Sequence, residues 1–444
     1  MMPPFGACLL LVLIIGPGTI AYGEERAETL TLERAHELAL LNAPRISLAQ
    51  LQAVAALDEV AVERSAYLPQ LTGVMTMVRA SSGNTRIEAG ALNNPSIYDR
   101  EAAGVVASQL ITDFGLTTGR IDAARMHSWA ESKRSQASID EILLEVDLEY
   151  YRTLQSQSRV IVAEQTVKER QQIAAKVTGM VENKLKSELD QSFAQVNLEE
   201  GRMLEAQVRN ELTINNLTLS TLLGFDIPQP FILLEHALAP PSTQHADELV
   251  AQALRDNPAI ARLRFEISST MRAYDAERAL DYPTVSAIGV AGVSVDRDPR
   301  LASSYAAGGF NLSIPLYSGN LIATRQHEAE LRMQLAKATL RIAENDLSRD
   351  VRVAIANVTY TYARLDMAGK LLVQAGLSYD LAKSRFDLGL TSIVDLEQAD
   401  LSRTSASMTE SAVKQDYLIQ LAVLDNRLGV HVAPAIAPTQ AGQR

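Results

Sequence analysis

Residues 385–400 read RFDLGLTSIVDLEQAD: a glycine between two helix-forming stretches, with Asp395 just past the turn. A second copy of the same pattern, KSELDQSFAQ at 186–195, aligns with TSIVDLEQAD at 391–400 at an offset of 205 residues. Further pairs follow in the same order. ALLNAPRI (39–46) matches ALRDNPAI (253–260) and YLPQL (67–71) matches DYPTV (281–285), both at an offset of 214. LITDFG (110–115) matches SIPLYSG (313–319), pairing Gly115 with Gly319 at 204, and STLLG (220–224) matches DNRLG (425–429) at 205. Ordered matches whose offset changes once by about nine or ten residues mark an internal duplication. The change falls between two strand candidates, where a loop absorbs length differences.

Proline sets the scale of each copy. None occurs between Pro95 and Pro228 or between Pro315 and Pro434. Proline breaks helix interiors, and both tracts are rich in Ala, Leu, Glu, Gln, Lys and Arg, which favour helix. Each tract therefore predicts a long helical hairpin, at 116–224 and 319–429, with a first arm of about 100 Å at 1.5 Å per residue. Ile139, Leu143, Val146 and Tyr150 keep a stripe at helical spacing on that arm. Upstream, the first copy predicts a helix over 32–66, strands at 70–79 and 104–113, and a polar Gly/Ser/Asn loop at 81–103. The second copy predicts strands at 284–295 and 305–316. Val285, Ala287, Gly289, Ala291, Val293 and Val295 alternate on one face, as do Phe310, Leu312, Ile314 and Leu316. The domain plan is then a first repeat at 24–229, a linker at 230–246, a second repeat at 247–430 and a tail at 431–444.

Composition supplies an address. Residues 1–23 carry no Asp, Glu, Lys or Arg, hold an apolar run from Ala7 to Ile15 and end in Ala21-Tyr22-Gly23. This reads as a secretory signal peptide. Cys8, the only cysteine, lies within it, so the mature chain has no disulfide or thiolate metal site. The formal charge of −12 belongs wholly to the remainder, which disfavours nucleic acid as a partner. The histidines at 36, 127, 236, 245, 327 and 431 show no metal-ligand spacing. No phosphate-binding Gly-rich loop and no Gly-x-Ser-x-Gly elbow is present. No catalysis, metal or cofactor is expected.

Four strands are too few for a membrane barrel, which starts at about eight, and an open sheet edge cannot face lipid. A chain with this design needs copies of itself. Two would supply eight strands and three twelve, with a wider lumen for twelve. The helices, continuous with the strands, would prolong the barrel as a tube.

At this point the sequence resembles the TolC-like outer membrane efflux proteins over nearly all of the mature chain. The resemblance is carried by LTLERAHELALLNAP (30–44), the helix-to-strand junctions at Tyr67-Leu68-Pro69 and Tyr282-Pro283, YSG (317–319), FDLGLTSIVDLEQA (386–399) and LLG (222–224). It implies a mainly α protein with a membrane β-barrel. Duplicated helix, strand, strand, long helix, helix units form a homotrimeric twelve-stranded barrel in outer-membrane lipid and a long α-helical periplasmic tunnel. The implied function is a passive exit duct of a tripartite efflux or type I secretion system. Its partners are a periplasmic adaptor (membrane fusion) protein and an inner-membrane pump of the RND, ABC or a similar class. By motif position Asp395 would ring the periplasmic entrance, and Gln398 occupies a second position that is acidic in the family. The tips, Lys186, Ser187 and Asp190 in the first copy and Gly389, Leu390, Thr391 and Ser392 in the second, would meet the adaptor. Asp395 and Asp190 also fit a simpler role as acids in the first turn of a helix, capped by Ser392 and Ser187. The alternative from another class is a periplasmic structural coiled coil or adaptor outside the membrane.

Overall fold

The computed structural model describes residues 28–79, 84–86, 96–98, 100–235, 237–238, 240–296 and 302–430. The signal-peptide reading, the tail at 431–444, most of the loop at 81–103, His236 and His431 lie outside these residues.

The chain runs β1 (Glu28–Leu30), α1 (Leu32–Asn42), α2 (Pro44–Arg64), β2 (Gln70–Val78), β3 (Asn84–Arg86), β4 (Ser96–Tyr98), β5 (Arg100–Thr112), α3 (Leu116–Glu182) and α4 (Glu188–Leu222). It continues with β6 (Phe231–Leu233), α5 (Ala246–Asp256), α6 (Pro258–Arg278), β7 (Thr284–Asp296), β8 (Ser304–Ser313), α7 (Leu321–Asp387) and α8 (Ile393–Leu428). The two copies agree element by element. α1 and α5 have 11 residues each, α2 and α6 have 21, and α3 and α7 have 67. The long helices end at matched turns, so α4 and α8 return along them for 35 and 36 residues.

Several boundaries differ from the sequence expectation, each for a local reason. The helix expected over 32–66 is two helices, because Pro44 sits at the first position of α2 and holds Ala43 in an extended conformation. The second copy repeats this break at Asn257-Pro258. β5 starts at Arg100 rather than 104. β8 ends at Ser313, short of the expected 316, because Pro315 cannot donate to a ladder. The turns into the long helices align one residue away from the Gly115/Gly319 pairing. Gly115 and Asn320 are the equivalent N-caps, both left-handed (φ 113° and 68°). Phe114 and Gly319, each one residue earlier, are left-handed as well. The expected linker contains β6, which pairs in parallel with β1 and buries Phe231 and Leu233.

The helices bury three apolar clusters. The first gathers α1, the middle of α3, the end of α4, β1 and β6 around Val146, Tyr150, Leu219 and Leu223. The second joins α5, α6, α7 and α8 around Val351 and Tyr417. The third lies at the far end of the hairpins and joins α3, α4, α7 and α8 around Val177, Phe386, Ile393 and Leu396.

The sheet is different. Its order is β2-β5-β7-β8, antiparallel throughout. Among the described residues, none of its side chains is buried. The register lines up Met75, Ala103 and Val293 on one face, with Gly73, Val105, Ala291 and Ala306 beside them. Phe310 and Leu312 join this face opposite Ala287 and Val285. Gln70, Thr72 and Thr76 alternate to the other face. Met75 and Phe310 are 76% and 82% exposed, far from the burial that such side chains seek in water. No helix of the described residues is long and apolar enough to cross a membrane.

Candidate functional site at the hairpin tips

The two turns have one backbone design. In the first, Leu185 N–H donates to the Met180 carbonyl (2.8 Å) and Lys184 N–H to Val181 (2.9 Å); in the second, Leu390 N–H donates to Arg385 (2.8 Å) and Gly389 N–H to Phe386 (3.0 Å). Both are Schellman closures, which need a left-handed residue after the helix. Gly389 fills that position at φ 72° and Lys184 fills it at φ 60°. Glycine has no Cβ to oppose that conformation, whereas lysine bears its steric cost.

Each return helix then opens on a capping box. Ser187 caps Asp190 N–H and receives the Asp190 carboxylate on its own N–H (3.0 Å); Ser392 does the same with Asp395 (3.2 Å in both directions). Asp395 Oδ2 also accepts from the hydroxyls of Thr391 (2.7 Å) and Ser392 (2.7 Å). Those bonds, that from Thr391 foremost, hold its carboxyl below the usual carboxylate range. Asp190 is lowered too, chiefly by the Ser187 N–H. All these bonds to Asp395 reach Oδ2, and the residue is exposed. Gln398, one turn on, is also exposed. Thus the cap chemistry is present at both tips, and it leaves the Asp395 carboxylate at the surface.

Leu390 is 65% exposed at the second apex and Leu185 72% at the first. Lys186 lies 4.8 Å above the Phe386 ring, and Lys176 Nζ donates to Asp387 Oδ1 (2.6 Å), so the two tips touch each other. Pro69 and Pro283 stand at the opposite end of the molecule, each directly before its strand. Among the described residues, no group of three or more His, Cys, Asp or Glu side chains is placed to hold a metal.

The sequence did not single out a cluster of charges between the hairpins above the tips. Arg170 on α3 donates from Nε to Asp400 Oδ2 on α8 (2.8 Å) and from Nη1 to the Asn197 carbonyl on α4 (2.9 Å). The two side chains are 3% and 1% exposed. Arg403 on α8 pairs with Glu169 on α3 and stacks 3.8 Å from the Tyr379 ring centroid on α7. Burial pushes the Tyr379 hydroxyl up to about 12. It also raises Glu397, with Glu200 adding repulsion. Partners some 230 positions apart leave no local pattern. The local signal is slight: Arg170 and Asp400 fall on the buried stripes of their helices, between Thr166 and Ala174 and between Leu396 and Thr404.

The outer membrane efflux protein family model matches residues 35–225 and 249–430, one segment in each copy. Protein CyaE of Bordetella pertussis is 25% identical over 391 residues, covering 86% of this chain and 80% of its own. Outer membrane protein TolC of Vibrio cholerae is 21% identical over 412 residues, covering 90% and 91%. The CmeC outer membrane channel of Campylobacter jejuni superposes with a TM-score of 0.77 at 16% identity, covering 96% of this chain and 94% of that one.

Proposed function

The chain belongs to the outer membrane efflux protein family, and from that premise we propose that it is a homotrimeric exit duct of a tripartite efflux or type I secretion system. As a member of that family it is an outer-membrane transport protein and not an enzyme.

One observation carries the proposal: a sheet with no core, an apolar face and two unlike open edges. β2 and β8 are its edges. The helices carry edges of the same kind. On one side, α2 exposes Leu48, Leu51, Val54 and Leu57, and α4 exposes Leu189, Phe193 and Val196. On the other, α7 exposes Leu371, Leu377 and Leu381. A first-copy edge of one chain can therefore meet a second-copy edge of the next, in the strands and helices alike. Unlike edges joined head to tail give a ring where the rotation between copies closes. Three chains of four strands each make twelve, which removes every edge from lipid. A soluble coiled coil or adaptor would leave Met75 and Phe310 in water without compensation.

In that ring the tips form the periplasmic entrance and receive an adaptor, while energy comes from an inner-membrane pump. Three Asp395 carboxylates would stand around the opening. Their mutual repulsion raises each pKa, whereas the hydroxyl bonds within each tip lower it. An ionised ring of this kind favours cations over anions. Gln398 leaves it a single acidic ring.

The decisive experiment is mass and shape in detergent. A trimer with a rod of about 100 Å projecting from the micelle is expected; a monomer that stays soluble without detergent would overturn the reading. For the entrance, Asp395→Ala should reduce cation selectivity and block by multivalent cations in planar bilayers. Unchanged selectivity would leave Asp395 a helix cap alone.

A further inference from the structure

At the end of the molecule opposite the tips, where helices give way to the sheet, a hollow of about 650 Å³ opens between the start of α3, the end of α6 and the start of α7. That is an ordinary size for a small-ligand site. Arg272, Arg278, Asp275 and Asp281 line it, together with the rings of Phe114 and Tyr282, whose centroids are 6.3 Å apart and which are each more than half exposed. Among the described residues, neither arginine nor Asp275 is in an ion pair. Arg278 stands 6.0 Å from the Tyr274 ring, and Asp281 accepts from Gln326 (2.8 Å). Charges of both signs thus face one cavity without pairing with each other. They belong to one copy only: at the offset of 214, Arg272, Asp275 and Asp281 correspond to Asp58, Ala61 and Tyr67. The duplicated fold does not require them.

The hollow faces outward in the ring. Gly115, Thr118 and Asp122 precede Leu143, Val146 and Tyr150 by 28 residues, four heptads, and Gln326 precedes Ala354 by the same interval. Neighbouring helices that supercoil keep one face at that repeat. Leu143, Val146 and Tyr150 share a core with α1, β1 and β6, and Ala354 shares one with α5. One side of the helical wall therefore carries both the hollow and this extra layer, and a tube of three copies has room for the layer only outside. Val285, on the apolar face of the sheet, follows Tyr282 by three positions, about 10 Å of extended chain. Headgroups lie at that distance from a hydrocarbon band, and aromatic rings mark the same boundary in membrane barrels. We propose that the hollow binds the headgroup of a zwitterionic phospholipid, one per chain, with the acyl chains against the apolar face of the sheet. The lipid phosphate accepts from the guanidinium forks of Arg272 and Arg278, and a primary ammonium donates to Asp275 and Asp281. The inference rests on the ring reading above, since only a chain in a bilayer meets such a headgroup there.

The test uses the full chain purified in detergent and stripped of lipid. Phosphatidylethanolamine, phosphatidylcholine and phosphatidylglycerol are added separately, and bound lipid is counted by native mass spectrometry. One phosphatidylethanolamine per chain is expected, held about fivefold more tightly than either other lipid, as one exposed ion pair provides. Asp275→Asn/Asp281→Asn should bind phosphatidylethanolamine and phosphatidylcholine equally, and Arg272→Gln/Arg278→Gln should weaken all three lipids. Equal binding of the three lipids by the unaltered protein would overturn the proposal, whether or not any variant folds. So would undiminished binding by an arginine variant that still assembles. Tighter binding of phosphatidylcholine would overturn it in favour of a cation–π site on the two rings. Displacement of the lipid by an equal concentration of inorganic phosphate would overturn it in favour of free phosphate. A chain that is monomeric and soluble without detergent would instead sink the duct reading, and this inference with it.

Discussion

The first hairpin turns over Asn183-Lys184-Leu185 and the second over Leu388-Gly389-Leu390, with the same hydrogen bonds and nearly the same φ at the middle residue. The comparison separates what a turn requires from what it tolerates. Reversal needs a carbonyl-capping closure and a serine that opens the return helix, and both copies keep these. The apex residue is free to differ because the fold absorbs the strain of a left-handed lysine. Two tips with one shape thus present different chemistry, Lys184 and Lys186 against Gly389 and Thr391.

The largest effect is expected where the two hairpins meet. Arg170→Ala leaves the buried Asp400 only its longer pair with Arg403 at 3.5 Å and should destabilise the protein by up to about 3–5 kcal/mol, measured by urea denaturation. Lys176→Ala, which breaks a half-exposed pair, should cost at most about 1 kcal/mol. Equal losses would mean that the hairpins are not clamped as described. Copying the first apex into the second is next: Gly389→Lys should cost about 1–2 kcal/mol. Ser187→Ala and Ser392→Ala should each cost about 1 kcal/mol, and a marked inequality between them would break the equivalence of the two caps. The smallest effect is a gain, since Lys184→Gly should stabilise by up to about 1 kcal/mol in a tip-specific assay such as hydrogen exchange. A loss there would show that Lys184 makes a contact that offsets its strain.

The caps also predict a pH response. Asp190 and Asp395 both titrate below the ordinary carboxylate value. Their contribution is therefore present above that value and is lost as pH falls through the lowered folded pKa. Local stability at both tips, read as hydrogen-exchange protection corrected for the intrinsic pH dependence of amide exchange, should fall in acid. It should not do so in an Asp190→Asn/Asp395→Asn variant, which has no carboxylate there to protonate.

Much of the architecture was legible because its signals are local. Proline spacing located the long helices, period-two alternation located β7, and the repeated motifs revealed the duplication. Asp395 and Ser392 were readable as a capping pair for the same reason, being three residues apart. What escaped depends on fine or distant geometry. The break at Pro44 lay inside a continuous apolar pattern, and three-residue strands such as β1 and β6 are too short to show a period. The alignment of Gly115 with Asn320 rather than Gly319 could not be read from glycine positions. Either residue of such a turn can carry the glycine when both are left-handed.

By itself the sequence determined the duplicated plan, the extent of the long hairpins and the residues at each apex, because these follow from periodicity, proline and capping between near neighbours. Only the tertiary structure decided that both hairpins share one core at the tip, that Arg170 meets Asp400, and that the sheet has no core of its own. These are contacts between segments hundreds of residues apart. They are set by which faces remain to be buried once each element has formed, and no local pattern encodes that choice.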